Sequence, residues 1–142
     1  MPQSADLSRV EFTLDGNLQE LGHMAEEVAW FCEENNLNSE VEFDLNLAME
    51  ELFINALRHG GCEGLKEAVR IRLERVENRV DAEFSDRGCE FDPATVPPPE
   101  FEPTLADRAL GGLGLHLARR AMGDLSWRRS EGWNHVSMRR VV

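Results

Sequence analysis

Between Met49 and Gly60 the chain reads Met-Glu-Glu-Leu-Phe-Ile-Asn-Ala-Leu-Arg-His-Gly. Leu52, Phe53, Ile54, Ala56 and Leu57 make this an apolar helix that has to pack in a core. Glu51 and Asn55 interrupt it, four residues apart and so one turn apart on one face. A polar pair inside an apolar stretch must be satisfied, because a buried polar group without a partner costs roughly 1–3 kcal/mol. One reading is an ordinary polar pair on a solvated face. The other is a pair that faces a ligand, and a hydrated magnesium ion bound to phosphates fits it. Magnesium takes oxygen ligands and few from protein, so the neutral Asn55 carbonyl is a suitable one. Glu51 beside it can orient or deprotonate an attacking hydroxyl or water.

The rest of the chain frames that helix. Val10–Leu14 alternates and reads as a first strand, followed by a turn and helix cap at Asp15-Gly16-Asn17. Leu18, Leu21, Met24 or Ala25, Val28 and Phe31 or Cys32 then recur at helical steps, and the helix ends near Asn35-Asn36. Ser39 is the expected cap of the second helix, with Glu42 in a capping box. Its core face is expected to carry Phe43, Leu47, Ile54 and Leu57 up to the Gly60-Gly61 stop. Two strands follow, Ala68–Val76 and Arg79–Phe84, joined at Glu77-Asn78. Residues 94–110 hold Pro97-Pro98-Pro99 and Pro103, which exclude a regular helix or central strand, so they read as a long loop, which in a compact domain is a lid (about 92–111), a binding loop or disordered. A third helix, Leu115–Met122, precedes two closing strands, Asp124–Arg129 and His135–Val141. The order β-α-α-β-β-loop-α-β-β implies one domain over 1–142. The expected fold class is α+β, a two-layer sandwich whose mixed, mostly antiparallel sheet has helices on one face.

Two further segments carry chemistry. Asp86-x-Gly88-x-x-Phe91 follows a strand, where an Asp can accept a hydrogen bond from an adenine amino group and Gly88 permits close backbone approach. Gly111-Gly112-Leu113-Gly114 stands directly before a helix, whose amides and positive end suit an anion. No Gly-Lys-Ser/Thr follows, so it is not a Walker loop, and no βαβ unit surrounds it, so it is not a dinucleotide fingerprint.

In this order the three segments resemble the boxes of the Bergerat-fold ATPases, the superfamily of histidine kinases, gyrase, Hsp90 and mismatch-repair ATPases. Length and the His59-Gly60 ending narrow the resemblance to the RsbW-type anti-sigma-factor serine/threonine kinases, over Val10 to Val141. The resemblance implies Asn55 as magnesium ligand, Glu51 as catalytic base and Asp86 with Gly88 as the adenine reader. It further implies Gly111, Gly112, Leu113 and Gly114 as the phosphate cradle, Ser137 near the adenine, and Arg58 within reach of phosphate. Many members carry an Arg directly before the second glycine box. Here Leu110 and Gly111 stand there, and Arg108 is the cation placed to reach in from the lid.

The implied cofactors are ATP and Mg2+. The implied partners are a STAS-domain anti-anti-sigma protein that is phosphorylated and a sigma factor or similar regulator that is sequestered. The family also often forms homodimers. The alternative is a module that holds ATP without chemistry and acts by sequestration alone.

The charge distribution suits either a solvated, solubilising helix face or a basic protein partner. Residues 1–60 hold 13 acidic and two basic residues, and the whole chain has a net charge of −12. An acidic first half repels phosphate backbones, which argues against direct nucleic-acid binding. No apolar run approaches the roughly 18 residues of a membrane helix. The first residues lack the order of a signal peptide, so the expected location is the cytoplasm. Cys32, Cys62 and Cys89 are odd in number and far apart, which suits reduced thiols rather than a disulfide framework or a zinc site.

Overall fold

The computed structural model describes residues 7–90 and 114–142. The elements are β1 (Arg9–Leu14), α1 (Glu20–Glu34), α2 (Ser39–Arg58), β2 (Val69–Val76), β3 (Arg79–Asp86), α3 (Gly114–Ala121), β4 (Gly123–Ser130) and β5 (Trp133–Val141). The five strands form one sheet in the order β1-β2-β3-β5-β4, and every neighbouring pair is antiparallel. This is the α+β sandwich the sequence pattern implies. Among the described residues no helix is long and apolar enough to cross a membrane.

Alternation decides which face of the sheet is covered. Val69, Ile71, Leu73, Val80, Ala82, Phe84, Val136 and Met138 are buried together with Met24, Val28, Phe31, Leu45, Met49 and Phe53 of the helices. The intervening positions form the other face. There Arg72, Arg128 and His135 all approach Glu83, and Arg79 and Arg139 approach Asp81.

The hairpin between β2 and β3 turns at Glu77-Asn78, where Glu77 takes a φ of 55°. The one between β4 and β5 turns at Glu131-Gly132 with both φ values positive, the geometry that matches strand twist in a two-residue loop.

The helix termini differ from the sequence expectation. The N-cap of α2 is Asn38, whose Oδ1 accepts the Val41 N–H at 3.0 Å. Ser39 is already helical, so Glu42 lies one residue past the capping-box position. In α1 the turn consumes its own polar groups. Asn17 Oδ1 accepts from the Gln19 N–H at 2.7 Å, and the helix begins only at Glu20, leaving Leu18 53% exposed.

The core face of α2 also differs. It is Val41, Leu45, Ala48, Met49, Leu52, Phe53, Ala56 and Leu57, whereas Phe43 is 65% exposed and Leu47 and Ile54 are half-buried. Both stripes have helical periodicity. The helix buries the wider one because it packs against α1 and α3 as well as over the sheet.

One pH dependence follows from the sheet. His135 lies on the charged face with its Nδ1 2.8 Å from the Ser85 hydroxyl. Burial, followed by the nearby Arg128 charge, lowers its pKa below 6.5. The folded chain therefore prefers neutral imidazole. The stability this contributes is complete above about pH 6.5 and is lost as pH falls below it. Denaturant titrations from pH 7.5 to 5 are expected to show a shallower decline for His135→Gln than for the wild-type chain; equal slopes would exclude this assignment.

Candidate functional site

The end of α2 is joined to the loop after β3 by backbone and side-chain hydrogen bonds. The Asn55 carbonyl accepts the N–H groups of His59 at 2.8 Å and Gly60 at 3.2 Å, which closes the last helical turn. The chain then reverses at Gly61, with φ of 74°, and the Gly60 carbonyl accepts the Cys89 N–H at 2.9 Å. The loop is thus pinned beside the helix end that carries Asn55.

Asp86 forms the other half of this joint. It is buried at the end of β3, and its Oδ1 accepts from the Gly88 N–H at 2.8 Å and the Asn134 Nδ2 at 3.0 Å, with the Cys62 Sγ at 3.9 Å. In the sequence Gly88 is expected to let backbone approach a base. In the structure its lack of a side chain is used within the protein: a Cβ there would lie 2.4 Å from the Gly60 carbonyl oxygen and 2.9 Å from Asp86 Oδ1. Gly88→Ala is therefore expected to push loop and helix end apart. The cost should be roughly 1–3 kcal/mol of stability by denaturant titration. A loss under about 0.5 kcal/mol, the size of an ordinary surface substitution, would mean that the joint is loose.

Glu51 and Asn55 are both buried on α2, at 5% and 8% exposure. Among the described residues no group hydrogen-bonds the Asn55 side-chain amide, and it is not an enclosed orphan either. A polar group of that kind at the edge of a core is suited to a ligand. Arg58 is three residues beyond Asn55 and seven beyond Glu51, so it continues the same helix face. It is exposed and lines a groove of about 600 Å³ with Leu18, Ile54 and Leu57.

Gly114 is the first residue of α3, and α3 packs mainly against α2. That puts the end of the second glycine segment at a helix N-terminus, as expected. Arg108, Gly111, Gly112 and Leu113 lie outside the described residues, as does the 92–111 lid segment.

Ser137 is not brought to this site. It pairs with Glu83 on β3, three residues from Asp86, and that odd separation puts it on the opposite face, away from the described helices. There it lines a depression of about 490 Å³ with Arg72, Asp81, Glu83 and Arg139. The β5 residue that does reach Asp86 is Asn134, its register partner. Asn134 shares the parity of Val136 and Met138, so a polar residue on the covered face was legible in the sequence as a position needing partners.

Two thiols border the site. Burial, followed by the Asp86 charge, pushes the Cys62 thiol up to about 11, while Cys89 is exposed. Cys32 lies in the core and is pushed to about 12 by burial and then by Glu42. A disulfide reagent at pH 8 should therefore titrate one thiol fast, Cys89, and the other two only on unfolding. Fast reaction of two or more thiols in the native chain, or retention of the fast one in Cys89→Ser, would contradict this.

The profile of the family described as "Histidine kinase-like ATPase domain" matches residues 12–140. A serine/threonine-protein kinase of Bordetella bronchiseptica, BtrW, is 29% identical over 133 residues, covering 94% of this chain and 89% of that protein. Among solved structures, a Mycobacterium tuberculosis chain with RsbU and RsbW domains superposes with a TM-score of 0.69 at 15% identity. The match takes in 94% of this chain and 32% of that one. A chain of the SiaB–SiaC complex from Pseudomonas aeruginosa gives a TM-score of 0.57 at 14% identity, over 94% of this chain and 89% of that one. At such identities the structural likeness speaks for the fold.

Proposed function

The chain belongs to the histidine kinase-like ATPase domain family, and from there we propose that it is an ATP-dependent serine/threonine protein kinase of the anti-sigma type. The observation that carries this reading is the joint between α2 and the 86–89 loop. It holds the buried amide of Asn55 and the buried carboxylate of Asp86 at one end of the fold, each with capacity left for a ligand. The relative named a serine/threonine-protein kinase lends support to the transfer chemistry.

In this reading Asp86 accepts a hydrogen bond from the adenine amino group. The N-terminus of α3 and the glycines before it receive the phosphates. Asn55 fits a magnesium ion: it offers one neutral carbonyl oxygen, and the nucleotide's phosphates would offer the rest. Magnesium, when bound, neutralises phosphate charge as it builds during transfer. Glu51 accepts the proton of the attacking serine or threonine hydroxyl, and that oxygen then forms its bond to the terminal phosphorus as ADP leaves. Arg108 is the proposed cation on the transferred group, and Arg58 is proposed as a further phosphate contact. The proposed acceptor is a STAS-domain antagonist. The proposed second partner is a sigma factor or similar regulator that is sequestered, with ATP and magnesium deciding between the two partners.

The test is incubation with labelled ATP, magnesium and a candidate STAS-domain protein, chosen from the neighbouring genes if one is encoded there. Transfer to a serine or threonine of that protein is expected. Intact ATP binding without transfer would refute the kinase. The substitution at Leu110-Gly111 favours a second reading, a module that binds ATP and acts by sequestration. In that case Glu51→Ala would leave function unchanged.

A further inference from the structure

The side chain that connects most of the candidate base-reading corner is Asn134. It is 2% exposed. Its Nδ2 donates to Asp86 Oδ1 at 3.0 Å and to the Cys89 carbonyl at 2.7 Å, and its Oδ1 accepts the Trp127 indole N–H at 3.2 Å. One side chain thus ties together β3, the loop after it, β4 and β5. Arg129, the register partner of Asn134 on β4, adds a second tie by donating to the Gly88 carbonyl at 2.7 Å.

We infer that Asn134 is a positioning residue that makes this corner selective for a base carrying an amino group, and so for ATP over GTP. The inference rests on the nucleotide reading above and names what decides its specificity. Both Nδ2 protons of Asn134 are spent within the protein, so the residue has no donor left to offer a base. Every hydrogen bond to the Asp86 carboxylate among the described residues ends on Oδ1, and Oδ2 carries none. Of these two side chains, Asp86 therefore presents an acceptor and Asn134 no donor. Adenine offers its exocyclic amino group to such an acceptor, whereas guanine offers an oxo oxygen at the same place, two acceptors facing each other. Asn134 holds Asp86 in this orientation by fixing one carboxylate oxygen, and it fixes the loop by the Cys89 carbonyl.

The experiment compares equilibrium binding of ATP and GTP, with magnesium, to the wild-type chain, Asn134→Ala and Asn134→Asp from pH 8 to 5.5. The wild-type chain is expected to prefer ATP by about 100-fold or more. In Asn134→Ala that preference should fall about tenfold or more. Asn134→Asp sets a second carboxylate against Asp86, a pair that regains its hydrogen bond only by taking up a proton. Its ATP affinity should be weak at pH 8 and recover toward wild type as pH falls. A pH-independent loss, or equal weakening of ATP and GTP, would reduce Asn134 to a structural role and overturn the inference. If either variant fails to fold, Trp127→Phe serves instead, since it removes the donor to Asn134 Oδ1 and keeps an aromatic ring. A smaller fall in preference supports the inference, and an unchanged preference overturns it. A wild-type chain that binds neither nucleotide overturns the nucleotide reading itself.

Discussion

Asn55→Ala is expected to abolish magnesium-dependent ATP binding, with affinity falling by about 100-fold or more, toward the level the wild-type chain shows without magnesium. The helix around it should survive. Alanine has the higher helix propensity, and the Asn55 amide makes no hydrogen bond with any described residue that its removal would orphan. Folding stability should therefore stay within about 1 kcal/mol of wild type. That separation is what gives the variant its force. A structural asparagine would lose stability and affinity together, whereas a ligand-facing one loses affinity alone. Titrations with ATP in magnesium and in chelator, alongside a denaturant curve, read both quantities. Unchanged ATP affinity in Asn55→Ala would mean that the pocket has been put in the wrong place.

Glu51→Gln is expected to act on the other axis. Glutamine keeps the size of the side chain and its hydrogen-bonding atoms but cannot take up a proton. Phosphoryl transfer should fall by roughly 10²–10⁴-fold, the usual worth of a positioned general base. ATP affinity should stay within about threefold, since Glu51 is not proposed to hold the nucleotide. Transfer rates under saturating ATP and the affinity measured separately check the two halves. If affinity collapses and the residual rate per bound nucleotide is unchanged, Glu51 supports the pocket and another group is the base. If neither changes, the sequestration reading gains.

Much of the fold follows from local pattern. The β2–β3 and β4–β5 hairpins follow from two-residue turns between alternating strands, and α2 stops at a glycine pair because Gly61 supplies the positive φ. The strand order could not be read locally. β5 lies between β3 and β4, and that insertion depends on which edges meet after α3 packs on α2. The core face of α2 is ambiguous in the sequence for a related reason. Phe43-Leu47-Ile54 and Val41-Leu45-Ala48-Leu52 are both helical stripes, and only the positions of α1, α3 and the sheet choose between them.

The site was legible in unequal parts. Glu51, Asn55, Asp86 and Gly88 stand out because polar and glycine positions break apolar patterns, and the structure gathers Asp86 and Gly88 against the end of the helix that holds the other two. Ser137 failed on parity: in a strand one residue of offset moves a side chain to the other face. The same parity, applied to Val136 and Met138, points to Asn134. What Asn134 does was not readable, because its partners Cys89 and Trp127 come from segments 45 and seven residues away.

Whether Asn55 and Asp86 serve one adenine nucleotide is tested most directly by a single calorimetric titration series. ATP is added to the wild-type chain with magnesium and with chelator, and then to Asn55→Ala and Asp86→Ala. One site per chain, lost in Asp86→Ala under both conditions and reduced in Asn55→Ala to the chelator level, is the predicted result. ATP binding that is indifferent to magnesium, or that survives both substitutions, would contradict it.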